Sequence, residues 1–75
     1  MSPDRLVYMA NQIGKFFAAQ KSSEAVPGIT SHLEKFWDPR MRASIIAHHS
    51  SGGAGLDPLV MQAVAALRPV AASTN

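Results

Sequence analysis

Cysteine is absent from the 75 residues of this chain, which excludes disulfides and thiolate metal sites. Charge is scarce as well, because only 16% of the residues are charged and the formal net charge is +2. Such a small charge does not favour nucleic acid or a membrane surface as the target. No apolar run approaches the roughly 18 residues that span a bilayer, and residues 1–5 do not resemble the start of a signal peptide. We therefore expect a cytoplasmic protein that does not act at a membrane.

Apolar residues are abundant, at 47% of the sequence, and most are alanine or aliphatic side chains that suit helices. A chain of this length buries only about 60% of the surface that its unfolded form exposes. Such a core supplies no more than ~3–5 kcal/mol. The combination of high apolar content and a small core favours a protein that docks onto another chain.

Helix starts are indicated at three places where a capping side chain precedes proline: Ser2-Pro3, Asp38-Pro39 and Asp57-Pro58. A serine or aspartate oxygen accepts hydrogen bonds from unpaired N–H groups at a helix start. Proline at the first helical position loses nothing, because its missing N–H has no partner there. Each pair therefore predicts the beginning of a helix.

The spacing of apolar residues predicts helices over 3–20, from near Glu24 to Trp37, over 39–49 and over 58–67. The apolar faces of the first two are expected to contain Leu6, Met9, Ala10, Ile13, Phe16, Phe17, Ile29, Leu33, Phe36 and Trp37. Gly14 inside the first pattern costs up to ~1 kcal/mol relative to alanine, so we expect it to permit close approach of another backbone.

The predicted fold is all-α, a small bundle of three to four helices. It forms a single domain over residues 1–69, with a flexible tail at 70–75. Between the last two helices, the glycine- and serine-rich segment 50–55 is expected to be a flexible loop because its residues have little to pack.

Candidate chemistry is weak throughout the chain. His48 and His49 are neighbours on a predicted helix and point about 100° apart, so they do not readily grip one ion together. His32 lies on a different helix. The carboxylates Asp38 and Asp57 are assigned to helix caps, and no serine lies beside an evident base. We expect no catalytic, cofactor-binding or metal-binding residue in this chain.

Large and charged side chains concentrate at one corner, which comprises Phe36, Trp37, Arg40, Met41 and Arg42. Tryptophan and arginine are enriched at the energetic centres of protein interfaces. We therefore predict that these five residues bind a protein partner, although packing of the tryptophan in the core is an equally weighted alternative. A small helical nucleic-acid-binding module, with the third helix in a groove, is the alternative function.

The segment Lys35-Phe36-Trp37-Asp38-Pro39-Arg40-Met41-Arg42 resembles the signature of the delta subunit of cytoplasmic NAD-dependent formate dehydrogenases. Segments 55–59 and 63–67 are similar to the C-terminal motif of that family, and segment 6–17 is similar to its start. The resemblance extends from about residue 3 to residue 69.

This resemblance implies a non-catalytic accessory subunit. In that family the catalytic alpha subunit carries pterin-bound molybdenum or tungsten together with iron–sulfur clusters. The beta subunit carries FMN and the NAD site, and the gamma subunit carries another cluster. The delta subunit is expected to bind the alpha subunit and to support assembly or stability of the cofactor-loaded enzyme, while the other subunits oxidise formate to carbon dioxide and reduce NAD.

Overall fold

The computed structural model describes residues 2–21 and 23–67, and these residues form a bundle of four helices. The helices are α1 (Pro3–Ala19), α2 (Ala25–Phe36), α3 (Pro39–Ser50) and α4 (Pro58–Ala66). The prediction of an all-α fold is confirmed. The predicted tail at 70–75 lies outside the described residues.

All three helices that were predicted to begin at proline do so, but their caps differ. The side chains of Ser2 and Asp38 each accept a hydrogen bond from the backbone N–H three residues ahead, at 3.4 and 2.9 Å. Asp57 makes no such cap bond. Its carboxylate lies 3.1 Å from the Lys15 ammonium group instead, so the prediction that its side chain caps α4 is wrong.

The start of α2 follows directly after Glu24, close to where the sequence predicts it. Pro27 is the third residue of this helix. The N–H groups of the first turn have no partner inside the helix, so proline removes no hydrogen bond at this position. This explains how α2 passes through a residue that breaks most helices.

The core lies between the four helices, and each helix contributes at least one buried side chain. Trp37, which follows the last residue of α2, is part of this core and is only 6% exposed. The buried cluster consists of Leu6, Ala10, Ile29, Leu33, Trp37, Ile45, Val60, Ala63, Val64 and Leu67.

Gly14 permits close packing between α1 and α4. A Cβ atom built on this buried glycine would lie 2.5 Å from a side-chain methyl of Val60. The expected close approach is therefore present, but the group that approaches is a side chain and not a backbone. Glycine allows the valine of α4 to pack directly on the α1 backbone.

Two of the phenylalanines predicted to face the core are exposed: Phe16 at 62% and Phe36 at 72%. Neighbouring residues on a helix point about 100° apart, so Phe16 cannot share the inward direction of Phe17, which packs against the core. Phe36 is the last residue of α2, and Trp37 occupies the core position next to it. The assignment of Phe16 and Phe36 to the buried faces is therefore wrong.

The loop between α3 and α4 is held by hydrogen bonds. The N–H groups of Gly52 and Gly53 donate to carbonyls in the last turn of α3, at 3.1 and 2.9 Å, and Gly53 is buried. These two hydrogen bonds together form a Schellman motif. The motif requires a residue with positive φ after the helix, and Gly52 supplies it with a φ of +117°. The Asn11 side chain then donates to the Gly55 carbonyl and accepts from the Asp57 N–H, both at 2.9 Å. The expectation that this loop has little to pack is wrong.

Candidate docking surface

An aromatic ladder runs across the outer surface of α1 and α2. It consists of Phe16, Phe17, His32 and Phe36. The ring centroids are 5.3 Å apart for Phe16 and Phe17, 6.5 Å for Phe17 and His32, and 4.8 Å for His32 and Phe36. Four rings are thus in sequential contact, and the two at the ends are mostly exposed.

The sequence places these rings by helix periodicity and by one glycine. His32 and Phe36 are four residues apart on α2, the spacing at which helical side chains lie one above the other. Phe17 of α1 reaches this row because Gly28 has no side chain: a Cβ there would lie 2.7 Å from a ring carbon of Phe17. Gly28 therefore lets the α1 rings meet the α2 rings, a role that sequence reasoning missed because the two residues lie on different helices.

A shallow groove of about 380 Å³ lies beside the ladder. Its walls are Gln12, Ile13, Phe16, Phe17 and His32. Two of these lining residues, Ile13 and Phe17, also pack against the core of the bundle. The groove can receive an apolar side chain from another molecule.

Two of the five predicted partner-binding residues are engaged within the fold. Trp37 is a core residue, so the packing alternative holds for it in this chain. The guanidinium of Arg42 donates from Nη1 to the carbonyl oxygen of Glu34 at 3.0 Å. This carbonyl is one of the last in α2, where the helix has no intrahelical donor for it, so Arg42 acts as a C-terminal cap of α2.

The other three predicted residues lie in two places. Phe36 is the end of the aromatic ladder. Arg40 is exposed and Met41 is half-buried, and both line a separate hollow of about 310 Å³ between α1 and α3. The corner predicted from the sequence is therefore divided between the ladder, this hollow, the bundle interior and the C-terminal end of α2.

Several polar side chains hold elements of the fold together. The imidazole Nε2 of His48 is 2.8 Å from the Ala54 carbonyl oxygen and joins α3 to the following loop. Within residues 2–21 and 23–67, no three histidine, aspartate or glutamate side chains come together in a way that could hold a metal ion. The helices of the same residues are also too short or too polar to cross a membrane.

These features define a small all-α protein with an exposed aromatic surface. A family model described as NADH-dependant formate dehydrogenase delta subunit FdsD matches residues 5–64, a range that includes the ladder and the predicted corner. The chain belongs to this family. No curated protein matches the chain.

Proposed function

We propose that this chain is a non-catalytic accessory subunit that binds the catalytic alpha subunit of an NAD-dependent formate dehydrogenase in the cytoplasm. The family match over residues 5–64 is the observation that carries the proposal. In this role the chain supports the assembly or the stability of the cofactor-loaded enzyme. The complete complex also contains beta and gamma subunits.

The hydrogen bonds and the ion pair that polar residues form within the fold support a role without catalysis. Asp38 caps α3, Asp57 pairs with Lys15, and Arg42 caps α2. His48 ties α3 to the loop that follows it. Each of these groups has a local partner that explains its position in the fold without a substrate.

The redox groups belong, in this proposal, to the other subunits. Pterin-bound molybdenum or tungsten, iron–sulfur clusters and FMN would supply the transfer of electrons from formate to NAD. This chain would act by binding the folded alpha subunit and not its unfolded form. Such selective binding stabilises the folded alpha subunit by about 2.7 kcal/mol when the free concentration of this chain is 100 times its dissociation constant.

Deletion of this chain from cells that express the remaining subunits tests the proposal. We expect a lower yield of active complex, with less molybdenum or tungsten and iron per alpha subunit, and full recovery when the chain is supplied again. Metal analysis and formate-dependent reduction of NAD measure these effects. A deletion strain with normal yield, normal metal content and normal thermal stability of the enzyme would refute the accessory role.

The order of addition separates assembly from stabilisation. Purified chain is added to enzyme that was produced without it, and its effect is compared with that of co-expression. Recovery of thermal stability after late addition, with metal content already normal, indicates stabilisation. Recovery only on co-expression, with metal content restored, indicates a role in assembly.

A further inference from the structure

We propose that the aromatic ladder of Phe16, Phe17, His32 and Phe36 is the centre of the surface that docks onto a larger subunit of the same complex. This inference rests on the proposed function, because it assumes that the chain binds another subunit. It differs from the predicted corner, two residues of which are engaged within the fold, since Trp37 lies in the core and Arg42 caps a helix.

The first argument is the exposure of the two end rings. Phe16 and Phe36 are 62% and 72% exposed, although both could contribute strongly to a buried surface. Tyr8 is the other large hydrophobic residue exposed to this degree among the described residues, and no ring contact joins it to the ladder. Phe16 and Phe36 are joined through Phe17 and His32 into one continuous surface.

The second argument is the area of this surface, which selects the type of partner. A fully exposed aromatic ring offers about 150–250 Å², so Phe16 and Phe36 together offer roughly 200–340 Å². A stable interface takes about 800 Å² from each partner. Two copies of this chain that met only through their ladders would fall well short of that area. A larger subunit that surrounds the ladder can also contact its polar edge and reach the required area.

The third argument is the chemical pattern around the ladder. Gln12 forms one wall of the groove, and Lys35 lies seven residues after Gly28 and three after His32, on the same face of α2. Apolar rings are thus bordered by polar side chains, as in the core and rim of protein interfaces. The matching surface on the partner is an apolar ridge, with one side chain inserted into the groove of about 380 Å³.

The test uses alanine variants of the full chain, titrated onto the purified complex of the other subunits that was produced without it. Phe16→Ala and Phe36→Ala are each expected to weaken binding by at least about 30-fold, the loss typical of residues at the centre of an interface. Tyr8→Ala is the matched control, because Tyr8 is 65% exposed on the same helix as Phe16 but outside the ladder. It is expected to bind like the wild type.

The variants Arg40→Ala and Met41→Ala test whether the hollow between α1 and α3, and not the ladder, binds the other subunit. If the wild-type chain binds and both Phe16→Ala and Phe36→Ala bind with the same affinity, this inference is wrong while the accessory role stands. Loss of binding in Arg40→Ala and Met41→Ala alone would also overturn it, in favour of the hollow. Failure of the wild-type chain to bind at all would instead contradict the proposed function.

Footprinting of the wild-type complex covers the case in which a variant does not fold. Hydroxyl radicals oxidise exposed aromatic rings, so Phe16 and Phe36 should be protected in the complex while Tyr8 remains reactive. Equal reactivity of Phe16 and Phe36 with and without the other subunits would refute the proposed surface. Protection of Phe16 and Phe36 in the isolated chain at high concentration, with a dimeric mass in sedimentation, would show that a second copy covers the ladder.

Discussion

Replacement of Gly14 by alanine tests the packing between α1 and α4. The new methyl group would lie 2.5 Å from a Val60 methyl, and Val60 is fully buried. Valine is branched at Cβ and is held in one rotamer in a helix, so it cannot swing away without strain. Overpacking of this kind costs about 1–3 kcal/mol. Alanine regains about 1 kcal/mol of helix propensity relative to glycine.

The net expectation for Gly14→Ala is a loss of about 1 kcal/mol in the free energy of unfolding. For a domain of this size, that loss lowers Tm by about 4–8 °C. Urea unfolding followed by far-ultraviolet circular dichroism and by the fluorescence of the buried Trp37 measures it. Gln12→Ala, at an exposed site on the same helix, is the control and should change stability by less than about 0.5 kcal/mol.

A double-mutant cycle with Val60→Ala makes the test specific. Val60→Ala alone is expected to cost about 2–3 kcal/mol, from lost burial and the cavity that remains. In that background the clash is absent, so Gly14→Ala should stabilise the protein by up to about 1 kcal/mol. Measurements in trimethylamine N-oxide keep the weakened variants folded. If Gly14→Ala has the same effect with and without Val60, the two residues are not coupled and the packing argument fails.

Two further substitutions test polar contacts by the same urea titration. Asn11→Ala removes both side-chain hydrogen bonds to the α3–α4 loop and is expected to cost about 1–3 kcal/mol; an unchanged midpoint would show that the loop does not depend on Asn11. Arg42→Ala removes the C-terminal cap of α2 and is expected to cost about 1 kcal/mol, whereas the exposed neighbour Arg40→Ala should cost less than about 0.5 kcal/mol. Equal effects of the two arginine substitutions would contradict the capping role.

The elements of the fold were predictable because their signals are local. A polar residue followed by proline marks the starts of α1, α3 and α4 within the sequence itself. The contacts that hold the loop were not predictable, because Asn11 bonds to a carbonyl 44 residues later in the chain. The capping role of Asp57 failed for the same reason, since Lys15 competes for its carboxylate from another helix.

The partner-binding corner predicted from the sequence overlaps only in part with the proposed aromatic ladder. Phe36 belongs both to the predicted corner and to the aromatic ladder. Periodicity assigns an apolar residue to a helix face, but it does not tell whether another helix covers that face. Phe16 and Phe36 lie where the bundle leaves α1 and α2 uncovered, so both are exposed despite their apolar character. Trp37 shows the reverse case, in which a residue typical of interfaces fills the core.

The position of α4 in the core has a consequence for synthesis on the ribosome. Val60, Ala63 and Val64 are buried, and Val60 lies directly on Gly14 of the first helix. While only α1, α2 and α3 have emerged from the exit tunnel, the core lacks the side chains that α4 contributes. Because a domain of this size folds as one cooperative unit, its native state forms only after α4 has emerged. Any surface that depends on the packed bundle, the aromatic ladder included, is therefore complete only once α4 has emerged.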